Sequence, residues 1–365
     1  MKLSISQSEL LNALTIVQKG LAQRATLPIL SGIYVEAKDD SVQFQTTNLE
    51  MSVQFQAAAL VEEPGAAVIP GKLFIDIVKN LPDAAVFIEV NDDTAVISCE
   101  SSSFSIRSLA AADFPTFPQV SPEQQIKVPF EVFSTMARKV CRVVSKDESR
   151  MILTGVLIAV EEGTLKLVAT DSYRLAVTEH GLEGSPEEFN AVLPGVFVAD
   201  LAGLPKTGED IAIAVAENQV IVSYGDTVFV NRRIEGKFPN YKQLIPPSYE
   251  TRCLIDRSAL AAAVKRASLL ENNASQVRFS INEPSQTIQL TTSQDIGCTQ
   301  EIVKGAIEGE SVEIGFNSFY VTEGLAAMAA SEVALELMGP LKPGILRSTD
   351  PDENYLYLVM PVRIQ

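Results

Sequence analysis

Two hydrophobic periods alternate along this chain. Near the start, apolar residues three or four positions apart predict an amphipathic helix, which begins at a capping box formed by Ser6 and Glu9. The apolar stripe of this helix contains Leu10, Leu14, Val17 and Leu21. Between residues 41 and 56, apolar and polar residues alternate, which is typical of half-buried antiparallel strands.

A second helix is predicted after Pro70-Gly71. Its buried face is expected to contain Leu73, Ile77 and Leu81. Further alternating segments follow it, around residues 86–90, 96 and 104–106. The pattern therefore predicts an α+β fold in which two helices pack on one side of an antiparallel sheet.

The same succession recurs twice more along the chain. Asn48, Asp171 and Ser293 each stand in a polar segment that precedes an apolar strand, and they are 123 and 122 residues apart. Val68-Ile69-Pro70-Gly71 returns as Val192-Leu193-Pro194-Gly195, again before a helical pattern. This period is too long for a small solenoid repeat and matches a domain of ordinary size. We predict three similar domains, at residues 1–121, 122–247 and 248–365.

The composition is that of a globular protein with few reactive groups. Hydrophobic residues make up 46% of the chain, and no run approaches the ~18 apolar residues of a membrane helix. The first residues alternate like a strand and carry no signal-peptide pattern, so we expect a soluble, cytoplasmic protein. The four cysteines are far apart, and His180 is the single histidine. We expect no metal, no cofactor and no catalytic site.

Charge is distributed unevenly. The formal net charge is −17, which argues against nucleic-acid binding if the charge is spread evenly. However, Arg138, Arg142 and Lys146 recur at helical spacing opposite an apolar face, and Lys265 and Arg266 lie on another helix. The acidic residues concentrate in turns and strands. A basic helical surface is therefore predicted, although ordinary solvated helix faces would give the same pattern.

Five motifs resemble the DNA polymerase III beta subunit family, the bacterial sliding clamps. They are Arg24–Leu30, Ala112–Pro115, Ala169–Ala176, Phe238–Tyr241 and Tyr357–Arg363. The resemblance implies the DNA clamp fold and a head-to-tail dimeric ring that encircles duplex DNA without reading its sequence. It also implies a non-catalytic processivity factor that tethers the polymerase III alpha subunit, the clamp loader, and other replication and repair proteins through short hydrophobic peptides.

The resemblance and the charge pattern together give three sets of candidate residues. The DNA-binding set is Arg24, Lys72, Arg138, Arg142, Lys146, Lys265 and Arg266. The partner-peptide cleft implied by the family contains Leu153, Thr170, Ser172, Tyr173, Arg174, Leu175, Pro239, Leu244, Met360, Pro361, Val362 and Arg363. The dimer interface contains Phe104, Ile106, Leu269 and Leu270.

Three departures from the family pattern concern these sites. Asp147 stands where relatives carry a neutral polar residue near DNA, and Pro194-Gly195-Val196 lacks basic residues that some relatives have. Both departures predict weaker DNA contacts. Tyr173 and Gln243 replace a histidine and an arginine of some relatives, so the rim of the cleft is expected to prefer different peptides.

Two other functions remain open at this point. Gly65 and Gly71-Lys72-Leu73 nearly match a phosphate-binding loop, but the spacing is one residue too long and Leu73 replaces the hydroxyl residue. An enzyme would show nucleotide turnover. The second alternative is a monomeric three-domain scaffold that binds peptides and no DNA, which the mass in solution would reveal.

Overall fold

The computed structural model describes residues 1–22, 27–119, 124–184, 186–270, 276–294 and 297–364. Within these residues the helices are α1 Gln7–Val17, α2 Gly71–Lys79, α3 Phe130–Val140, α4 Gly195–Ala202, α5 Arg257–Ala267 and α6 Ser318–Ala326. The strands of the first half are β1 Lys2–Ser6, β2 Gly32–Lys38, β3 Ser41–Thr47, β4 Met51–Ala58, β5 Leu60–Glu63, β6 Gly65–Pro70, β7 Ala85–Asn91, β8 Thr94–Cys99, β9 Ser102–Arg107, β10 Gln124–Pro129, β11 Gly155–Glu161, β12 Thr164–Thr170 and β13 Arg174–Gly181. Those of the second half are β14 Phe189–Pro194, β15 Asp210–Val215, β16 Gln219–Tyr224, β17 Thr227–Arg232, β18 Thr251–Asp256, β19 Gln276–Asn282, β20 Thr287–Gln294, β21 Gly297–Gly309, β22 Val312–Asn317, β23 Glu332–Leu337, β24 Gly344–Ser348 and β25 Tyr355–Val359.

The chain divides into two compact units. The first comprises Met1–Glu131 and Gly203–Arg233, and the second comprises Val132–Ala202 and Ile234–Gln365. The first unit contains an antiparallel sheet in the order β5-β1-β7-β8-β9 and a second in the order β10-β15-β16-β17-β4-β3-β2-β6. Helix α1 packs on β4 and α2, and the buried side chains of Leu10 and Leu14 fill this layer.

The predicted start of helix α1 is confirmed, but the helix ends earlier than predicted. The Ser6 hydroxyl accepts a hydrogen bond from the backbone N–H of Glu9 at 3.3 Å, so Ser6 caps the helix as expected. The α-helix ends at Val17 and continues as a 3₁₀ turn over Gln18–Gly20. The stripe that buries α1 against the sheet is therefore one turn shorter than its apolar pattern suggested.

Helix α2 presents a different face from the one predicted. Leu73 is 47% exposed, so its assignment to the buried face is wrong. Ile77 and Leu81 are buried as predicted, and Phe74 and Val78, which the prediction did not include, are buried with them. The helix starts at Gly71, and this start places Phe74 rather than Leu73 toward the sheet.

The second unit is built on one continuous antiparallel sheet. Its order is β14-β11-β12-β13-β25-β24-β23-β18-β21-β20-β19-β22. The pairing of β13 with β25 runs from Arg174 opposite Val359 to Thr178 opposite Tyr355 and joins the middle of the chain to its C-terminal strand. Helix α6 lies so close to β25 that a Cβ on Gly324 would collide with the Tyr357 ring. Among the described helices, none combines the length and apolarity required to cross a bilayer.

Candidate partner cleft, basic helix surface and sheet edges

The turn between β12 and β13 presents two side chains to solvent. One carboxylate oxygen of Asp171 accepts hydrogen bonds from the backbone N–H groups of Tyr173 at 2.9 Å and Arg174 at 3.0 Å. The hydroxyl of Thr170 donates to the carbonyl of Arg174 at 2.7 Å and accepts from the N–H of Ser172 at 3.2 Å. Ser172 adopts a left-handed φ of 79°, which these bonds hold in place. The turn therefore fixes Ser172 and Tyr173 at an exposed tip.

Arg174 is a buried cation at the base of this turn. Its Nε donates to the second carboxylate oxygen of Asp171 at 3.0 Å, and Nη1 donates to the hydroxyl of Tyr357 at 3.2 Å. Nη2 donates to the backbone carbonyl of Arg142 at 2.9 Å, and the ring of Tyr320 lies 4.6 Å from the guanidinium carbon. Burial opposes its charge, but the contacts with Tyr357 and Asp171 raise the pKa of Arg174 above its ordinary value.

The segment after β25 is bonded into the sheet. The backbone N–H of Met360 donates to the carbonyl of Tyr173 at 2.8 Å, which extends the pairing with β13 by one bond. The N–H of Val362 donates to the carbonyl of Gly315 on β22 at 2.9 Å. The carbonyl of Arg363 accepts a bond from a glutamine side chain on β19 at 2.7 Å. Hydrogen bonds, and not packing alone, therefore hold this segment against the sheet.

A buried apolar cluster, called the apolar floor below, includes residues of the strands that join the turn to the C-terminal segment. Leu175 on β13 pairs with Leu358 on β25, and both are buried in one cluster of side chains on this sheet face. The cluster also contains Leu157, Ala159, Val168, Val177, Val192, Tyr241, Ile345 and Leu356. Ile152, Ile234, Phe238 and Ile245 pack against it while remaining partly exposed. An apolar side chain placed over this floor would be desolvated on one side by the cluster.

Three of the predicted cleft residues have exposed side chains. Tyr173 is 58% exposed, Leu244 is 44% exposed and Met360 is 37% exposed. Pro239 is also exposed, whereas Leu153 is buried. Exposed apolar residues rimming an apolar floor are typical of an interaction site. The predicted cleft residues thus include both buried and exposed side chains.

A more polar concavity of about 540 Å³ opens farther along the same sheet face, next to Val177 and Leu356. Glu161 lies beside it and is 2.7 Å from the Nζ of Lys242 and 3.3 Å from that of Lys166. The hydrogen bond from Lys242 outweighs burial and lowers the pKa of Glu161. These cations are therefore engaged within the unit.

The predicted basic helix face is shorter than expected and only partly available, because α3 ends at Val140, Arg142 lies in the 3₁₀ turn after it and Lys146 follows that turn. Arg138 is exposed, but its Nη2 donates to the carbonyl of Ala202 at 2.9 Å. Arg142 lies 3.9 Å from a carboxylate oxygen of Glu323 on α6. Lys146 is exposed. The structure therefore leaves these three cations at the surface while giving two of them a partner within the second unit.

The other predicted DNA contacts differ in availability. Lys265 on α5 and Lys72 on α2 are exposed. Arg266 binds the carboxylate of Glu301 on β21 through two hydrogen bonds, of 2.9 and 2.6 Å. Arg24 lies outside the described residues. The bidentate pair means that the charge of Arg266 is largely compensated in the second unit.

The residues predicted for the first side of a dimer joint lie on a sheet edge. Strand β9 is the last strand of its sheet and pairs with β8. Phe104 on this strand is 40% exposed, and Ile106 is half-buried. An edge strand with exposed apolar side chains can accept another strand through its free backbone groups.

The residues predicted for the other side of the joint lie beside a second edge. Leu269 is 75% exposed and Leu270 is half-buried in a 3₁₀ turn after α5. In the described part of the chain, residues 297–304 of β21 pair with β20 alone, whereas residues 305–309 pair with β18 instead. Ile302 on this half-paired stretch is 60% exposed. The sequence analysis did not single out this strand.

Comparison with known proteins identifies the family. Models of the N-terminal, central and C-terminal domains of the DNA polymerase III beta subunit match residues 1–118, 127–240 and 242–363. The chain belongs to the DNA polymerase III beta subunit family. The beta sliding clamp of Staphylococcus aureus strain Mu50 is 33% identical over 375 residues, covering 100% of this chain and 99% of the relative. That of Staphylococcus epidermidis is 32% identical with the same coverage.

Solved structures of the DNA polymerase III beta subunit family show the same fold. The DNA polymerase sliding clamp of Bacillus subtilis is 29% identical with a TM-score of 0.95. The DNA polymerase III beta subunit of Thermotoga maritima is 29% identical with a TM-score of 0.93. Both comparisons cover 100% of each chain. The chain therefore has the three-domain clamp fold, and the predicted family and fold class are confirmed.

Three residues near the candidate cleft were missed by reasoning from the sequence. Leu358 could have been found, because it lies two positions before Met360 and a strand returns side chains to one face with a period of two. Tyr320 and Phe319 on α6, which lie near the Arg174 guanidinium, gave no local signal. Their place depends on the packing of α6 on β25.

Proposed function

We propose that this protein is a sliding clamp: a non-catalytic processivity factor that encircles duplex DNA and tethers the replicative polymerase. The observation that carries this conclusion is similarity over the entire length, with 33% identity to a beta sliding clamp and a TM-score of 0.95 to another clamp. A clamp acts as a whole ring, so similarity over the whole chain is more informative than a local motif. We place the protein in the cytoplasm, together with the DNA.

We further propose that two chains join head to tail, with β9 of one chain against the free half of β21 of the other. Strand addition would satisfy the backbone groups of both edges and cover Phe104, Leu269 and Ile302. A closed pair of three-domain chains gives a ring of six domains. The domain boundaries at 121 and 247 belong to this proposal, and the first of them lies outside the described residues.

The joint can be tested with two exposed leucines. Leu269→Asp places a charge at the proposed joint and is expected to yield monomers, while Leu341→Asp, at a residue 78% exposed elsewhere, should leave the dimer intact. Sedimentation of both variants measures the mass. If the wild-type protein were a monomer, the peptide-binding scaffold would be the better interpretation. If both variants were dimers, Leu269 would not lie in the joint.

We propose that DNA passes through the ring and contacts Lys72, Lys146 and Lys265, with smaller contributions from Arg138 and Arg142. Contacts to phosphates carry no base information, so they allow sliding. After loading, the clamp should remain on closed circular DNA and leave once the circle is cut. Equal retention on both forms would contradict encirclement.

The partner site proposed here is the apolar floor with its rim of Tyr173, Leu244 and Met360. A short peptide from the polymerase alpha subunit, the clamp loader or a repair protein would place apolar side chains over Leu175 and Leu358. Desolvated apolar anchors provide most of the affinity in such sites, and the polar turn at Ser172 and Tyr173 would orient the peptide backbone.

Point variants test the cleft better than truncation, because removing the C-terminal segment would also break the bond between Val362 and Gly315. We expect Met360→Ala and Leu244→Ala each to weaken polymerase stimulation by roughly tenfold or more. Leu341→Ala, which changes a leucine of greater exposure, is the matched control. If Leu341→Ala reduced stimulation as much as Leu244→Ala did, the cleft assignment would be wrong.

A further inference from the structure

The side chain of Arg174 has its hydrogen-bonding and stacking partners inside the protein. Its guanidinium reaches three acceptors, on Asp171, Tyr357 and the backbone of Arg142. Aromatic rings of α6 lie 4.6 and 5.5 Å from its carbon, and the side chain is only 7% exposed. A guanidinium in this position has little surface left for a partner peptide. Its effect on a peptide must therefore pass through the groups that it holds.

Those groups belong to three different elements. Asp171 organises the exposed tip of the cleft through its bonds to the N–H groups of Tyr173 and Arg174. The Tyr357 hydroxyl, which accepts from Arg174, donates to the carbonyl of Tyr320 on α6 at 2.8 Å. The third acceptor is the carbonyl of Arg142, in the 3₁₀ turn that follows α3. Carbonyls at a helix end lack intrahelical partners, so this bond caps the 3₁₀ turn that follows α3.

We propose that Arg174 is a positioning residue that couples the partner cleft to the 3₁₀ turn that follows helix α3. One planar guanidinium holds the cleft tip, the stacked Tyr320 and the Arg142 backbone in a single arrangement. Arg142 and Lys146 follow α3 and are among the proposed DNA contacts. The inference rests on the proposed function for its biological meaning, whereas the coupling itself is a property of the second unit.

Lysine cannot replace arginine at this position. An ammonium is a point charge on a flexible stem, and it lacks the fork that donates in three fixed directions. We expect Arg174→Lys to retain the ion pair with Asp171 and to lose the hydrogen bonds to Tyr357 and the Arg142 carbonyl. The conservative change should therefore leave the cleft tip ordered and release the 3₁₀ turn that follows α3.

Amide hydrogen exchange on the full-length protein tests the coupling without any partner. We expect Arg174→Met to accelerate exchange in two segments, residues 171–174 and residues 141–145, each by about tenfold or more. Arg174→Lys should affect mainly residues 141–145. The matched control is Arg150→Met, because Arg150 also bonds the cleft tip, at Ser172, but does not contact the Arg142 carbonyl. This control should leave residues 141–145 unchanged.

Tyr357→Phe is a gentler second variant in case Arg174→Met does not fold. It removes only the hydroxyl that joins Arg174 to the carbonyl of Tyr320, so exchange in residues 141–145 should stay close to wild type. Acceleration confined to residues 171–174 in every Arg174 variant would overturn the coupling. So would an equal response of residues 141–145 to Arg150→Met.

Binding measurements on the same proteins separate this inference from the proposed function. Polymerase stimulation should fall about tenfold for Arg174→Met, although no direct contact is removed. If exchange rises in both segments while stimulation is unchanged, the coupling stands and the position of the cleft is wrong. If stimulation falls without any change at residues 141–145, Arg174 acts on the cleft alone and the coupling is refuted.

Discussion

The carboxylate of Glu353 joins several elements of the second unit, and removing it should loosen them together. It accepts hydrogen bonds from the Nζ of Lys139 at 2.5 Å and the hydroxyl of Ser348 at 2.7 Å. It also accepts from the backbone N–H groups of Ala329, at 3.0 and 3.1 Å, and Ala330, at 3.1 Å. The side chains of Lys139 and Glu353 are 13% and 6% exposed. Glu353 thus links α3, β24 and the segment after α6.

Breaking this pair from the acidic side leaves a buried ammonium without a counter-charge. Glu353→Gln is therefore expected to cost about 3–5 kcal/mol, the range for removing one partner of a buried ion pair. Lys139→Met should cost less, about 1–3 kcal/mol, because Glu353 keeps three neutral donors. Lys2→Met removes a pair with Glu62 whose side chains are 41% and 45% exposed, and the stability is expected to change little.

Acidification should erase the difference between Glu353→Gln and wild type. Burial alone would raise the pKa of Glu353, but hydrogen bonds from Lys139, Ala329, Ser348 and Ala330 outweigh it and lower the pKa below 4.5. A carboxyl whose pKa is lower in the folded state stabilises the fold above its unfolded pKa. That stability is lost as the pH falls through the folded value. The variant and wild type should converge over this acidic range.

Amide hydrogen exchange suits this measurement, because a chain of several domains has no single free energy of unfolding. Residues 327–331 include the two amides that Glu353 holds, and their exchange should become about 100-fold faster in Glu353→Gln. Exchange within α1, in the first unit, is the internal reference. The reasoning fails if Glu353→Gln accelerates residues 327–331 no more than Lys2→Met does.

Two further predictions concern single side chains. Because Glu301 compensates Arg266, Glu301→Gln should free one cation and make the salt dependence of binding to short duplex DNA steeper by about 0.9 in log–log slope, provided that sedimentation still shows a dimer. Arg266→Gln should hardly change this slope. A larger change for Arg266→Gln than for Glu301→Gln would contradict the pairing. Burial raises the pKa of Cys141 and Cys253 to about 12, whereas Cys298 is exposed. Iodoacetamide at pH 8 should therefore modify Cys298 first, which peptide mass mapping can measure. Earlier labelling of Cys253 would contradict its burial.

Local patterns in the sequence predicted local structure well. The capping residue Ser6 and the apolar stripe after it gave the start and the buried face of α1, because both depend on residues within four positions of each other. The choice of Leu73 over Phe74 failed because adjacent apolar residues on a short helix fit two different faces. The exact first residue of α2 decides between these faces, and an apolar pattern does not determine it.

The candidate cleft could be predicted only in part. Motifs gave the turn at Asp171 and the segment near Met360, but their meeting depends on a pairing of two strands, in which Arg174 lies opposite Val359, 185 positions later. The part played by Tyr320 depends on how α6 packs, and the loss of Arg266 as a free cation depends on Glu301, which lies 35 residues later. Spacing along a helix shows which face carries charge and does not show which charges acquire partners.

The distribution of free and engaged cations bears on how a clamp with a net charge of −17 remains on DNA. Arg138 and Arg266 donate to groups of their own unit, and the exposed candidates that remain, Lys72, Lys146 and Lys265, are hydrated point charges on flexible stems. Few and mobile contacts exchange easily between phosphates, which favours sliding over tight binding. Retention must then come from ring closure, so an increase in salt from 50 to 200 mM should release the clamp from short linear duplexes while leaving clamps loaded on closed circles in place.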